Sequence, residues 1–318
     1  MTDQVALAVA LDGYGWHRQA WRKTPTAQSV LSGGYWTQLA RTAERGLLDF
    51  LTIDDALTPQ PGRRAQLSPG RLVGRADAVM MAARVARATT DIGLIPVATV
   101  THTNPSHVAA AIATLDAVSH GRAGWQPRVS GTAHEAALFG RRQWPDHHDL
   151  FDGATEFVTE VRSLWGSGRQ PVIAALAHAP RVYEFASAAA NLVFITPRDD
   201  EDLLSILAEV TAAGGVPLVY ADLVVTFGGD TDFGSDAVIV DGSPAHVADL
   251  ILRWHDLGVA GVRLRPAVHA TDLPIIVDEV VPLLHRSGRF RSEYRAGETL
   301  RARLGLSVPE NRYVEVSP

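Results

Sequence analysis

Cysteine is absent from the 318-residue chain. That excludes disulfide cross-links, iron–sulfur ligation and a catalytic thiolate, and it suits a reducing cytoplasm. Long apolar runs are missing too: no segment approaches the roughly 18–20 residues that a membrane span requires. The N-terminal Met1-Thr2-Asp3-Gln4 lacks positive charge, and the apolar run Val5–Leu11 stops at Asp12, so no secretory leader is expected. Nor is there an excess of positive charge. Lys and Arg total 29 against 35 Asp and Glu, a net charge of −6, which argues against nucleic acid or a membrane surface as the main partner. What is present is ordinary: 46% hydrophobic and 20% charged residues, enough for a sizeable core. A soluble cytoplasmic protein is expected.

Short apolar runs alternate with helical patterns along the whole chain. Strands are expected at Val5–Leu11, Phe50–Ile53, Ile92–Val97, Gly124–Val129, Val172–Leu176, Leu192–Ile195, Pro217–Thr226 and Gly261–Leu264. Between them, helical spacing marks Tyr35–Arg45, Ala76–Ala88, Asp152–Trp165, Val182–Ala190, Asp200–Ala213, Ala245–Leu257 and Leu273–Leu284. One more helix carries the stripe Val108, Ile112, Leu115, Val118, opened by Asn104-Pro105 and stopped at Gly121. Eight alternations without a compositional break fit an α/β fold of the (β/α)8 TIM-barrel type, with long βα loops and a C-terminal extension. The whole chain, 1–318, reads as one such domain, with 286–318 as the extension. Thr58–Gly74 and Gly131–Asp149 are the long loops, both at the end of the barrel where active sites lie. Gly228–Ser235 reads as an exposed polar turn. The arginines from Arg286 to Arg312 alternate with Glu293, Glu298 and Glu310, the pattern of a packing extension rather than of an anion-binding arm.

Several constellations fail for physical reasons. Gly13-Tyr14-Gly15-Trp16-His17-Arg18 begins like a dinucleotide loop, but Arg18 occupies the third glycine position. His134-Glu135 lacks the second histidine of a zinc helix, and Asp146-His147-His148-Asp149 has no fixed ligand spacing, so no metal site is expected. No nucleophile elbow or phosphate loop is present. Trp16, Trp21 and Trp36, all following the first strand, have two readings: walls of an aromatic pocket or ordinary core.

The segments Leu39–Gly46 with Asp49-Phe50, Asp91–Thr101 with Asn104-Pro105, and Leu115–Arg122 with Gly124-Trp125 form an ordered series. Glu135–Gly140, Glu156–Trp165, Pro282–Tyr294 and Thr299–Leu306 continue it. Together they resemble the bacterial luciferase-like flavin monooxygenases, in particular the nitrilotriacetate, dibenzothiophene-sulfone and alkane monooxygenase branch. The resemblance implies a barrel that binds reduced FMN from a separate flavin reductase and inserts one oxygen atom of O2 into a small organic substrate. Family members on the same fold that use F420 for hydride transfer, or that act as degenerate partner subunits without turnover, are the alternatives. Homo-oligomers are usual. The branch normally carries a longer segment after the helix ending at Trp165, which this chain lacks.

Carried over by position, the resemblance places Asp55, Thr99, Thr101, Ser130, Phe151, His178, Ala179 and Arg181 at the cofactor. His102, where tyrosine is more usual, becomes the candidate catalytic residue. Asp54 and Asp55 are adjacent on a strand, face opposite ways, and are therefore not an acid/base pair. Departures from the pattern include Gln126 and Val129, Phe151 in place of tyrosine, and Leu176-Ala177-His178-Ala179 where the branch has a Gly-Ser-Ser phosphate turn. For an anion, this leaves backbone amides, the start of the following helix, Arg181 and His178.

Overall fold

The computed structural model describes residues 4–24, 29–58, 72, 74–140, 147–166, 170–215 and 218–307. Along the chain these form β1 (Ala6–Leu11), α1 (Ala20–Lys23), α2 (Gly33–Arg45), β2 (Phe50–Ile53), α3 (Ala78–Ala86), β3 (Gly93–Thr99) and α4 (Pro105–Val118). Next come β4 (Gly124–Arg128), α5 (Ala133–Leu138), α6 (His147–Trp165), β5 (Val172–Leu176), α7 (Pro180–Ala189), β6 (Leu192–Ile195) and α8 (Asp200–Ala212). The rest is β7 (Leu218–Thr226), β8 (Ile239–Asp241), α9 (Pro244–Leu257), β9 (Gly261–Pro266), α10 (His269–Ile275), α11 (Val281–Arg286) and α12 (Leu300–Arg303).

Strands β1 to β7 pair in order, all parallel, and β9 closes the ring between β7 and β1. This is a closed eight-stranded parallel barrel with flanking helices, a TIM barrel. Helices set their starts by side-chain caps. Ser32, Asp77, Asn104, Asp199 and Ser243 each accept a hydrogen bond from a first-turn amide of the helix they precede.

Four details differ from the sequence expectation. The Gly131–Asp149 loop contains α5, which Thr132 caps while Glu135 reaches back to the Thr132 hydroxyl, and α6 starts as early as His147. The closing helix is interrupted by a π turn at Ile276–Val280, between Pro274 and Pro282, whose rings cannot join an unbroken i→i+4 ladder. A ninth strand, β8, lies on the outer half of β7. Turn 228–235 is exposed except at Phe233, whose ring packs edge-on against His17 at 4.8 Å.

Period-2 alternation sorts each barrel strand into an outward and an inward set. The outward set packs under the helices: Leu7, Leu51, Ile53, Ile173, Val193 and Val262 share a core with Leu39, Val85, Ile112, Ile251 and Leu273. The inward set fills the barrel. Phe50, Phe194 and Tyr220 form an aromatic layer with ring centroids 5.4–6.2 Å apart, and Leu300 and Leu304 join the same cluster from below. The guanidinium of Arg263 sits 3.4 Å above the Phe194 ring, so the barrel changes there from apolar to charged. The extension packs at the opposite end. Arg291 pairs with Asp49, Arg303 donates to the Asp49 carbonyl and to Glu298, and Arg289 pairs with Asp256. These are packing roles, as expected. Arg312 and the side chains of Asp146-His147-His148-Asp149 lie outside the described residues, as does most of the Thr58–Gly74 loop. Among the described residues, no helix is long and apolar enough to cross a membrane and no group of side chains is set to hold a metal ion.

Candidate active site at the C-terminal mouth

Four inward rows end in charge at the C-terminal mouth. On β1 the row Ala6, Ala8, Ala10 leads to Asp12; on β2, Phe50 and Thr52 lead to Asp54; on β4, Gly124 and Gln126 lead to Arg128; on β9, Gly261 leads to Arg263 and Arg265. Deepest is Asp222 of β7, fully buried. Its Oδ1 accepts from Arg263 Nε at 2.7 Å and its Oδ2 from Arg263 at 2.5 Å and from Arg265. Arg263 also donates to Gln126 Oε1 at 3.1 Å and Thr52 Oγ1 at 3.3 Å. Arg265 continues to Asp236 at 2.7 Å. A buried carboxylate is tolerated only when such donors replace its hydration, and here two guanidiniums do so.

Above this layer runs a second chain of ion pairs. Arg75 donates to Asp12 at 2.8 Å and to Asp54 at 3.0 Å, and Arg128 donates to Asp54 at 3.3 Å and to the Asp55 carbonyl at 2.7 Å. The consequences differ along the row. For Asp54, burial raises the pKa, but Arg75 and Arg128 outweigh it and hold the carboxyl below its ordinary range. Among the described residues Asp12 ion-pairs with Arg75 alone. Burial, opposed by Arg75 and reinforced by Asp54, pushes it up to about 6.

Two cavities of about 490 and 500 Å³ open at this end. The larger lies over the barrel axis. Its walls are apolar at Val97, Val129, Leu150, Phe151, Leu176 and Phe185, and its floor is Gln126, Arg263 and Arg265. The other lies between the β1 loop, α2 and the segment around Arg75, with Tyr14, Trp16, Trp21 and Trp36 on its walls. Trp16, Asp54, Arg128 and Asp236 line both and so form the partition between them. Both volumes lie within the roughly 300–1,000 Å³ usual for small-molecule sites.

Two of the residues carried over by resemblance line the axial cavity: Phe151 and His178. His178 Nδ1 pairs with Thr196 at 2.9 Å, and its Nε2 lies 3.4 Å from Asp236. Burial lowers its pKa, partly opposed by Asp236, so the ring is neutral at pH 7. Ala179 is the N-cap of α7 and offers no side-chain acceptor to the first-turn amides. Arg181 pairs with Asp152 and with Glu184 at 2.8 Å and does not line the cavity. Thr101 and Ser130 form a tie between β3 and β4: Ser130 donates its amide to Thr101 Oγ1 at 2.9 Å and its hydroxyl to Glu135 at 2.7 Å. Thr99, buried beside them, accepts at its carbonyl from Thr103. Asp55 caps α3 by accepting from the Ala78 amide at 3.1 Å. His102, in the left-handed region at φ 69°, stacks on Phe139 at 5.1 Å and lines neither cavity.

Sequence reasoning weighed Asp54 only against Asp55 and selected none of Asp12, Asp54, Arg75, Arg128, Arg263 and Arg265 as site residues. All but Arg75 stand on inward rows or directly extend them, so counting by twos from Ala6, Phe50, Gly124 and Gly261 was a sufficient signal. Arg75 follows no strand and needed the fold.

The flavin that the resemblance implies can be tested against this donor set. A planar ring fits the axial cavity, between aromatic and aliphatic walls, with guanidiniums at its polar edge. A phosphate finds less: the uncapped first turn of α7, where Pro180 supplies no N–H, and the neutral ring of His178.

Comparison with known proteins gives the family and the fold. The chain is 25% identical to the N-acetyl-S-(2-succino)cysteine monooxygenase of Bacillus subtilis (strain 168), covering 98% of this chain and 99% of that protein. That alignment runs over 442 positions against the 318 residues here, in keeping with the direct passage from α6 to β5. A dibenzothiophene-sulfone monooxygenase of Rhodococcus erythropolis is 37% identical over 153 residues, which are 46% of this chain and 34% of that protein. Among solved structures, the EDTA monooxygenase of Chelativorans sp. BNC1 superposes with a TM-score of 0.83 at 20% identity, over 96% of this chain and 98% of that one. Residues 15–221 match the luciferase-like monooxygenases, and the chain belongs to that family.

Proposed function

We propose that the protein is an FMN-dependent monooxygenase that receives reduced flavin from a separate reductase and inserts one oxygen atom of O2 into a small organic substrate. The observation that carries this reading, beside family membership, is the axial cavity: apolar walls at Phe151, Phe185 and Leu176 over a floor of Arg263 and Arg265. Reduced flavin, when bound, supplies the electrons that activate O2. The rest is the work of this chain's residues. Phe151, Leu176 and Phe185 clamp a planar ring and exclude water. Arg128 and the Arg263–Asp222–Arg265 cluster present positive charge fixed by its own hydrogen bonds, so it needs no rearrangement to meet an anionic ring. The first turn of α7 and His178 receive the phosphate.

Anaerobic titration with FMN, reduced FMN and F420, followed by flavin fluorescence and calorimetry, tests the reading. Reduced FMN is expected to bind most tightly. A preference for F420 moves the assignment to hydride transfer. Binding of none of the three sinks the enzyme reading and points to a degenerate paralogue that serves as a partner subunit.

A further inference from the structure

Apart from the shared partition, the second cavity has no part in the flavin site proposed above, yet it is as large as the first and is built for a ligand of a particular kind. Its walls are aromatic: Tyr14, Trp16 and Trp21 line it. The buried Trp21 Nε1 has no hydrogen-bond partner among the described residues, an unusual loss for an indole N–H. At its inner end stands Asp12. Oδ2 of that carboxylate takes Arg75, while Oδ1 accepts no hydrogen bond among the described residues. Positive charge near the cavity is largely spent internally. Arg75 spans Asp12 and Asp54, and Arg128 is held by Asp54 and the Asp55 carbonyl. The two carboxylates share Arg75 and only Asp54 also takes Arg128, which leaves Asp12 the less fully paired of the two.

Resting on the reduced-flavin reading, we propose that this aromatic chamber binds the organic substrate and selects a planar aromatic compound carrying a protonated amine. The ammonium sits on Asp12 Oδ1, and the ring lies among Tyr14, Trp16 and Trp21. A cation there supplies the donor that Asp12 Oδ1 lacks among the described residues and gains from the faces of aromatic rings. A carboxylate in the same place meets Asp12 and Asp54, whose guanidiniums Arg75 and Arg128 are already paired; among the described residues the other arginine on the cavity wall, Arg18, is solvent-exposed. The Asp54–Arg128 pair in the partition sets the edge across which the substrate faces the ring in the axial cavity.

The charged and titratable groups around Asp12 are Arg75, Asp54 and Arg128 in the ion-pair chain, Asp55 behind β2, and Tyr35 on α2. Asp12 gains its proton near pH 6, which removes the charge that an amine needs. Amine affinity should thus be high above pH 6 and fall below it.

Calorimetry on the flavin-free protein with phenethylamine and 3-phenylpropionate, a pair alike in ring and length but opposite in charge, is decisive. At about pH 7.5 the amine is expected to bind at least about tenfold more tightly than the carboxylate. That preference should shrink in Asp12→Asn and, for the unaltered protein, as the pH is lowered to about 5. The pH arm keeps the test valid if the variant folds poorly. Equal or reversed preference, an amine affinity untouched by both changes, or binding of neither ligand at about 10 mM overturns the proposal. No flavin is present, so failure of reduced-FMN binding counts against the reading above and failure of amine selection counts against this one.

Discussion

At the N-terminal end of the barrel, Asp49 takes Arg291 and the amide of Leu7; at the C-terminal end, Asp54 takes Arg75 and Arg128. Asp49 is buried and Asp54 half-buried, and both meet arginine, but the bonds lead to different places. Below, Arg303 donates to the Asp49 carbonyl, Arg301 to the carbonyls of Gln170 and Ser307, and the Tyr294 hydroxyl to that of Leu48. Apart from the bond to Ser307, which lies within the extension, those bonds fasten the extension to strand ends and interstrand connections. Above, the pairs run mostly from side chain to side chain and line two cavities. The same chemistry acts as a closure where it ends on backbone and as a site where it ends on itself. This agrees with the division of labour in TIM barrels, stability at the bottom and chemistry at the top.

Removing each carboxylate should separate the two ends most sharply. Asp49→Ala leaves Arg291 and the Leu7 amide without their acceptor and should cost about 3 kcal/mol in urea unfolding. Asp54→Ala leaves Arg75 on Asp12 and Arg128 on the Asp55 carbonyl and should cost about 1 kcal/mol. The reverse order would show that the upper network is the structural one.

Ligand binding sharpens the contrast further. FMN and riboflavin differ only in the phosphate, for which the axial site offers the first turn of α7 and a neutral His178 in place of hydroxyls. The advantage of FMN over riboflavin should stay within about tenfold, or 1.4 kcal/mol, in paired calorimetric titrations. A far larger advantage would mean that the α7 turn binds phosphate more strongly than its donors suggest.

The smallest effect concerns Asp12. Its folded pKa of about 6 lies above the ordinary 3.8, so the folded state binds the proton more tightly. Stability contributed at this position rises as pH falls from above 6 towards 4, the opposite of an ion-paired carboxylate. Asp12→Asn should raise the melting temperature by about 2 °C at pH 8, with the gain shrinking below pH 6 and vanishing near pH 4. A loss of stability at pH 8 would mean that the bond to Arg75 outweighs the burial of the charge.

Much of the fold was legible because it rests on periodicity. Val172–Leu176 and Leu192–Ile195 are strands as read, and Asn104-Pro105 starts α4 as its residue types require. The π turn between Pro274 and Pro282 was less visible, since two prolines inside an apolar pattern do not show how the backbone will absorb them. At the site, resemblance selected Asp55, whereas Asp54, one residue earlier, is the carboxylate that reaches the mouth. A shift of one residue on a strand moves a side chain to the other face.

The sequence by itself determined the eight alternations, the inward and outward rows of each strand, and the family to which the chain belongs. These depend on local spacing, which any segment carries within itself. Only the tertiary structure decided that Arg75, from outside any strand, would bridge Asp12 and Asp54, that Arg263 and Arg265 would share Asp222, and that Trp16, Asp54, Arg128 and Asp236 would divide the mouth in two. Such contacts join residues far apart in the chain. They exist only once closure of the barrel brings the ends of β1, β2, β4, β7 and β9 into one ring, where burial fixes which charges must meet.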